Sequence, residues 1–152
     1  MKALWLAGLM ALPAAAAPDV HLVYMGGNDC PPCVAWRREE LPQLQASAVW
    51  PRVRFSHVNK VITSAVPPTL FLPDAVKPLK DKLDHASNRI TGSPQSAIVV
   101  DGEVVDYWFG ARPAADLVEA LTALAEGRPY PLSRCLRLET ARRCAQSVPA
   151  GR

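Results

Sequence analysis

Residues 20–44 read VHLVYMGGNDCPPCVAWRREELPQL and contain the most informative motif of the chain, CPPC at residues 30–33. The apolar run before the motif predicts a strand that ends at a glycine turn, and a helical pattern extends from Val34 to about Leu44. The first sulfur therefore stands at a helix N-terminus, where free N–H groups and the helix dipole favour a thiolate. Because two intervening residues allow a reversible disulfide, we interpret the motif as a redox dithiol with Cys30 as the exposed sulfur. Half of a zinc site and a buried structural bridge are the alternatives.

Residues 1–17 have the pattern of a secretory signal peptide. Lys2 is their only charge, residues 3–12 form a short apolar core, and alanines follow Pro13. This pattern predicts export with cleavage near residue 16 or 17, and an uncleaved anchor is the alternative. No later segment is apolar enough to span a bilayer, so we expect no stable membrane span in the mature chain. Four cysteines remain after cleavage, an even count that suits an oxidising compartment, with the bacterial periplasm as first choice and secretion as second.

The remaining chain divides into one domain, residues 18–127, and a basic C-terminal extension, residues 128–152. The formal net charge is +3, and the extension has six arginines against one acidic residue. Such a run either faces solvent on a helix or touches an acidic partner or membrane headgroups. Its one aromatic residue is Tyr130 and it has no nucleic-acid motif, so we expect no nucleic-acid partner.

Strand, turn and helix patterns alternate after the motif. Residues 52–58 alternate as a strand, residues 62–74 are rich in proline and turn formers, and residues 75–85 have the composition of a short helix. Asp101-Gly102 between two β-rich runs predicts a hairpin with a two-residue turn of the primed type. An apolar stripe after Pro113 then predicts a helix that ends at Gly127.

This order resembles the thioredoxin family over roughly residues 20–126. Besides the cysteine motif, the resemblance rests on Gly92-Ser93-Pro94, the hairpin around Asp101-Gly102, and Phe109-Gly110-Ala111 before the last helix. It implies an α/β thioredoxin fold, in which a central mixed sheet is flanked by helices. Relative to the smallest members of that family, this chain would have an extended middle segment and a C-terminal helical tail.

The resemblance also implies roles for site residues. Cys30 would attack a client disulfide or receive attack, and Cys33 would resolve the mixed disulfide. Pro94 would be cis and lie beside Cys30, which leaves the backbone of Ser93 free to pair with an extended substrate segment. Pro68 is a rival for this place, because it also precedes a strand-like run. The implied partners are protein thiols or disulfides and an unidentified redox partner, with no external cofactor and no metal.

The chain departs from the thioredoxin pattern near the motif. Tyr24 stands where thioredoxins have a buried acid, and Asp29 stands where they commonly have a tryptophan. His57 aligns with a strand position near that acid, so it is a candidate local proton acceptor. The alternative for His57 is a hydrogen-bonded histidine on a half-buried strand.

The two prolines of the motif predict the direction of the reaction. Proline has no N–H, so Pro31 and Pro32 cannot donate to a Cys30 thiolate. The nearby Asp29 charge disfavours that thiolate further. A less stabilised reduced form makes the disulfide harder to reduce, which favours reductant or isomerase work.

Cys135 and Cys144 lie outside the resemblance, in a segment of helical composition from 132 to 146. On one straight helix their Cα atoms would be about 13.5 Å apart, whereas a disulfide requires about 7 Å or less. We expect a structural bridge with a bend between the two cysteines. A second redox pair and a contact to another chain are alternatives.

Two other functions fit the sequence. A non-catalytic binding module would keep the thioredoxin fold and use residues 60–90 for its contacts. A cysteine-based metal-binding protein would use Cys30 and Cys33 together with Cys135 and Cys144.

Overall fold

A computed structural model describes residues 16–134 of the protein. Its strands are β1 (Val20–Met25), β2 (Val53–Val58), β3 (Gln95–Val100) and β4 (Glu103–Phe109). They form one sheet in the order β2-β1-β3-β4. The pairing of β1 with β2 is parallel, whereas β1 with β3 and β3 with β4 are antiparallel.

Within residues 16–134, four α-helices accompany the sheet. They are α1 (Pro31–Glu39), α2 (Leu41–Gln45), α3 (Lys80–Ser87) and α4 (Ala114–Ala125). Three short 3-10 helices lie at Trp50–Arg52, Thr69–Phe71 and Lys77–Leu79. A mixed central sheet with flanking helices in this order is the thioredoxin-like arrangement, so the predicted fold class is confirmed.

The sheet separates two apolar layers because neighbouring residues of a strand point to opposite faces. From β1, Leu22 and Tyr24 join the layer that contains residues of α1, α2 and α4. Val23 and Met25 join the opposite layer, which contains residues of α3. β1 is buried along its whole length, as expected of a central strand with both faces covered. The end of this strand leads directly into the cysteine motif.

The predicted hairpin and last helix are both present. Asp101 and Gly102 have φ angles of 51° and 80° between β3 and β4, as a primed two-residue turn requires. The helix after Pro113 ends at Ala125, and Gly127 follows with a φ of 69°. These elements form as predicted because local turn chemistry and helical periodicity determine them.

The helix predicted from residue 34 to 44 is wrong in its extent. It is divided into α1 and α2, with the break at Glu40. Pro42 explains the break, because it has no N–H for the carbonyl one turn earlier and its ring crowds that turn.

The middle segment also differs in detail from the expectation. Residues 75–85 were expected as one helix, but a 3-10 turn comes first and α3 then continues to Ser87. Pro68 precedes the 3-10 helix Thr69–Phe71 rather than a strand, which removes it as a rival to Pro94. Leu70 and Phe71 of that turn are largely exposed.

The C-terminal extension is described only as far as Arg134, and residues 128–134 form no helix. Residues 1–15 of the predicted signal peptide (1–17) and the predicted Cys135–Cys144 bridge lie outside the described residues. Within residues 16–134, no helix has both the length and the apolar character needed to cross a membrane.

Candidate redox site around Cys30 and Cys33

Cys30 and Cys33 are joined by a disulfide at the start of α1, with their Cα atoms 5.2 Å apart. Cys30 is the N-cap residue of the helix, and the Cys33 N–H donates to Cys30 Sγ over 3.3 Å. Pro31 and Pro32 occupy the first helical turn and have no N–H to offer. The Cys33 amide is therefore the backbone donor that the helix directs at the first sulfur, which the sequence argument about the two prolines did not foresee.

Both cysteines are fully buried, with 0% of their surface exposed. They pack in the same apolar cluster as Tyr24 and Trp36. The prediction that Cys30 presents an exposed sulfur is therefore wrong for this disulfide form. The burial depends on packing between α1 and the sheet, which the motif itself does not specify.

Gly26, the first residue after β1, allows the sheet to approach the disulfide closely. Its N–H donates to Val58 O over 3.0 Å, which extends the pairing of β1 with β2 by one residue. A Cβ atom at this position would lie 2.7 Å from Cys33 Sγ and 3.2 Å from the Tyr24 hydroxyl. Only glycine leaves room for the second sulfur in this place.

Tyr24 lies beneath the second cysteine, at the position where the resemblance implied a buried acid. Its hydroxyl donates to Cys33 O over 3.1 Å. Its ring stacks on Trp36 with centroids 4.3 Å apart. Burial raises the pKa of Tyr24 to about 12, so the hydroxyl stays protonated at neutral pH. Tyr24 is thus a structural donor here and cannot replace a carboxylate as a proton acceptor.

His57 lies at the side of the site rather than at the sulfurs. Its Nε2 is 2.8 Å from Gly26 O and 3.1 Å from Arg37 Nη1. Arg37 also donates to Gly26 O and to Asn28 Oδ1, which fastens the loop before the motif to α1. Among the described residues, no hydrogen bond joins His57 to either cysteine. Arg37 was not predicted as a site residue, although its position four residues after Cys33 places both on one side of the helix.

The Ser93–Pro94 peptide bond is cis, which confirms the predicted conformation. β3 begins at the next residue, and its register places Gln95 opposite Met25, the last residue of β1. The loop before β3 therefore lies at the same end of the sheet as the cysteine motif. The predicted position of Pro94 beside Cys30, with Ser93 in the substrate groove, stays a prediction.

The side chain of Gln95 and the backbone N–H of Gly110 hold this loop in place. Gln95 is fully buried, and its Nε2 donates to Ile90 O over 3.0 Å and to Gly92 O over 2.8 Å. The Gly110 N–H donates to Pro94 O over 2.9 Å. Within residues 16–134, the N–H and C=O groups of Ser93 make no hydrogen bond.

Lys60 is the unexpected member of the site. It is only 4% exposed, and its Nζ donates to Ser64 O over 2.8 Å, to Gly92 O over 2.6 Å and to Ser93 Oγ over 2.9 Å. Burial lowers its pKa to about 8, although the carboxylate of Asp29 acts in the opposite direction. No sequence signal marked this lysine, because its acceptors come from residues as many as 33 positions away.

The charge of Asp29 is less isolated than the sequence analysis expects. Its Oδ2 accepts the N–H of Ile62 over 2.9 Å, and its charge acts on Lys60. The negative charge before Cys30 is therefore partly balanced by a buried positive charge. The expected effect of Asp29 on a Cys30 thiolate is correspondingly weaker.

The described residues show no metal site. Within residues 16–134, no group of three or more histidine, cysteine or acidic side chains converges as metal ligands would. Cys135 and Cys144, the other two members of the proposed metal set, lie outside this range.

Comparisons with protein families and with curated proteins find no match to the chain. Among solved structures, the chain is similar to a protein described as Trxlp from Edwardsiella tarda. The two are 22% identical with a TM-score of 0.44, over 71% of this chain and 84% of that one.

Proposed function

We propose that the protein is a thiol–disulfide oxidoreductase that exchanges disulfides with protein clients through Cys30 and Cys33. The observation that carries the proposal is the disulfide between these residues at the start of α1, with the Cys33 N–H directed at Cys30 Sγ. A backbone donor at a helix N-terminus stabilises negative charge on that sulfur once the bond is reduced. Cys30 is therefore the attacking thiolate and Cys33 the resolving thiol.

The reaction proceeds through a mixed disulfide. The Cys30 thiolate attacks one sulfur of a client disulfide, forms a Cys30–client bond and releases the other client sulfur as a thiolate. The Cys33 thiolate then attacks Cys30 Sγ, which releases the second client sulfur and restores the Cys30–Cys33 disulfide. Two electrons pass from the protein to the client, and the two client thiolates take up protons. A dithiol donor must then reduce the protein for another cycle.

We infer that the protein acts as a reductant or isomerase. Pro31 and Pro32 have no backbone N–H to donate to the Cys30 thiolate. The N–H of Cys33 therefore acts without the two N–H donors that other residues at these positions would add. A less stabilised thiolate makes the reduced protein a stronger reductant. The partial balance of Asp29 by Lys60 means that this inference rests mainly on the prolines.

The remaining site residues have supporting roles in the proposal. Ser93 and Pro94 shape the groove for an extended client segment, whose backbone would pair with the free N–H and C=O of Ser93. His57 remains a proposed proton acceptor that would act through solvent beside Gly26, because its contacts are with that carbonyl and with Arg37.

We also propose that the protein works in an oxidising compartment outside the cytoplasm, with the periplasm as first choice. The support is the signal-peptide pattern of residues 1–17. The mass of the chain recovered from the periplasmic fraction tests this proposal. We expect the mass of a chain that begins near residue 17 or 18. Recovery of the chain only from the cytosol would contradict export.

The function is tested with a peptide pair joined by a disulfide that holds a fluorophore next to its quencher. The reduced protein should separate the pair, Cys30→Ser should abolish the exchange, and Cys33→Ser should accumulate a protein–peptide adduct visible by mass spectrometry. A Cys135→Ser/Cys144→Ser protein is the matched control, because it keeps only the proposed pair. Undiminished exchange by Cys30→Ser, or adducts formed equally by both single variants, would refute the assignment.

One observation favours a second function, a thioredoxin-like binding module without catalysis. Both sulfurs are fully covered in the disulfide form, as a structural bridge would be. The exposed Leu70 and Phe71 in the middle segment would then provide contacts for a partner. Such a module would fail to separate the peptide pair even after reduction by a chemical reductant.

A further inference from the structure

The ammonium group of Lys60 is surrounded by one acceptor for each of its protons. Ser64 O lies in the loop after β2, and Gly92 O and Ser93 Oγ lie in the loop before β3, at 2.8, 2.6 and 2.9 Å from Nζ. One side chain thus ties two loops together at the end of the sheet that holds the disulfide. An uncharged side chain of similar length would leave these acceptors without their donor.

Lys60 holds the loop that contains the unpaired backbone groups of Ser93. Ser93 makes no backbone hydrogen bond within the described residues, whereas its side chain is fixed by Lys60. On the other side, Gln95 holds Gly92 O through a second hydrogen bond. The orientation of the unpaired Ser93 N–H and C=O therefore depends on this pair of supports, Lys60 and Gln95.

Burying a charged lysine lowers the stability of a fold unless hydrogen bonds and an opposite charge offset the cost. Burial lowers the pKa of Lys60 to about 8, which is the direction expected when the charged form is disfavoured. Asp29, in the loop before α1, is the charged group of the described chain that offsets part of this cost. The two loops that Lys60 bonds contribute Ser64, Gly92 and Ser93, none of which titrates.

From this geometry we propose that Lys60 is a positioning residue for the client groove. Its hydrogen bonds hold Ser93 in the orientation that pairs with an extended client backbone. The inference rests on the proposed function and adds a residue to it. Among the described residues, Lys60 makes no hydrogen bond to either sulfur, so we expect its contribution in client binding rather than in the exchange step.

The test compares Lys60→Met with Lys77→Met in the peptide-pair assay, with KM and kcat measured separately. Lys77 is a suitable control because its ammonium pairs with the exposed Asp74 rather than with the loop before β3. Lys60→Met should raise KM by about tenfold with little change in kcat, the size expected when hydrogen bonds from a charged donor are lost. Lys77→Met should leave both constants unchanged.

The pH dependence of KM provides a second readout, because a lysine that only stabilises the fold would not make KM change with pH. In the wild-type protein KM should rise as the pH passes about 8, because neutral Lys60 has only two protons for three acceptors. In Lys60→Met this rise should be absent. Ser93→Ala, which removes one acceptor, should raise KM in the same direction by a smaller factor.

The outcomes separate the two proposals. Exchange by the wild type with an unchanged KM in Lys60→Met, or with a wild-type KM that does not vary with pH, would overturn the role of Lys60 alone. No exchange by the wild type would overturn the oxidoreductase and this role together. If Lys60→Met does not fold, the wild-type pH profile and Ser93→Ala still decide the question.

Discussion

Replacing Lys60 with methionine should change how the stability of the protein depends on pH. The pKa of Lys60 falls from 10.5, its ordinary value, to about 8 in the folded protein. Between these two values the unfolded chain holds a proton that the folded protein has lost. The free energy of unfolding therefore rises with pH in this window, and the charged lysine costs stability at neutral pH.

The size of the effect follows from the same two pKa values. Linkage gives a rise of about 2 kcal/mol in the free energy of unfolding of the wild type between about pH 7 and pH 9.5. Lys60→Met lacks this contribution, so the stability difference between the two proteins should change by that amount. The comparison stops at about pH 9.5 because Tyr24 has a pKa above its ordinary value of 10 in the folded protein. At higher pH the unfolded chain loses this tyrosine proton first, so the free energy of unfolding falls.

Urea unfolding of the oxidised proteins in thiol-free buffer measures this difference, with Lys77→Met as the control. The Lys77 variant should follow the wild type at every pH. A constant difference between wild type and Lys60→Met from pH 7 to pH 9.5 would refute the argument, because Lys60 would then not titrate as a buried group.

Three further substitutions test the packing around the site by urea unfolding of the oxidised protein. Gly26→Ala should lower the free energy of unfolding by about 1–3 kcal/mol, because its Cβ would lie 2.7 Å from Cys33 Sγ; an unchanged value would show that the sulfur has room to move. Tyr24→Phe should cost about 1 kcal/mol through the lost hydrogen bond to Cys33 O, and an increase in stability would contradict that role. Arg112→Met should cost about 3 kcal/mol, because it removes the arginine 2.9 Å from the fully buried Asp106; a loss below about 1 kcal/mol would show that the other donors to Asp106 suffice.

Features determined by neighbouring residues could be predicted from the sequence. The Asp101-Gly102 turn and the start of α1 after Cys30 depend on local backbone chemistry, and both are present. The cis bond before Pro94 was predicted from the order of motifs along the chain. The division of the first helix was missed, although the proline responsible for it is visible in the sequence.

Features determined by contacts between distant residues could not be predicted. Lys60 reaches Ser93 across 33 residues, and only the folded loops bring its acceptors together. His57 was placed on the correct strand, but its orientation toward Gly26 depends on Arg37 of α1. The burial of Cys30 likewise results from packing in three dimensions.

The reduction potential of the Cys30–Cys33 disulfide tests the central claim most directly. The protein is equilibrated with glutathione and dithiothreitol buffers, quenched in acid, alkylated and quantified by mass spectrometry of the peptide that contains both cysteines. An exchanging pair that works as a reductant or isomerase should have a midpoint between about −270 and −180 mV. A midpoint below about −300 mV would identify a structural bridge and contradict the account.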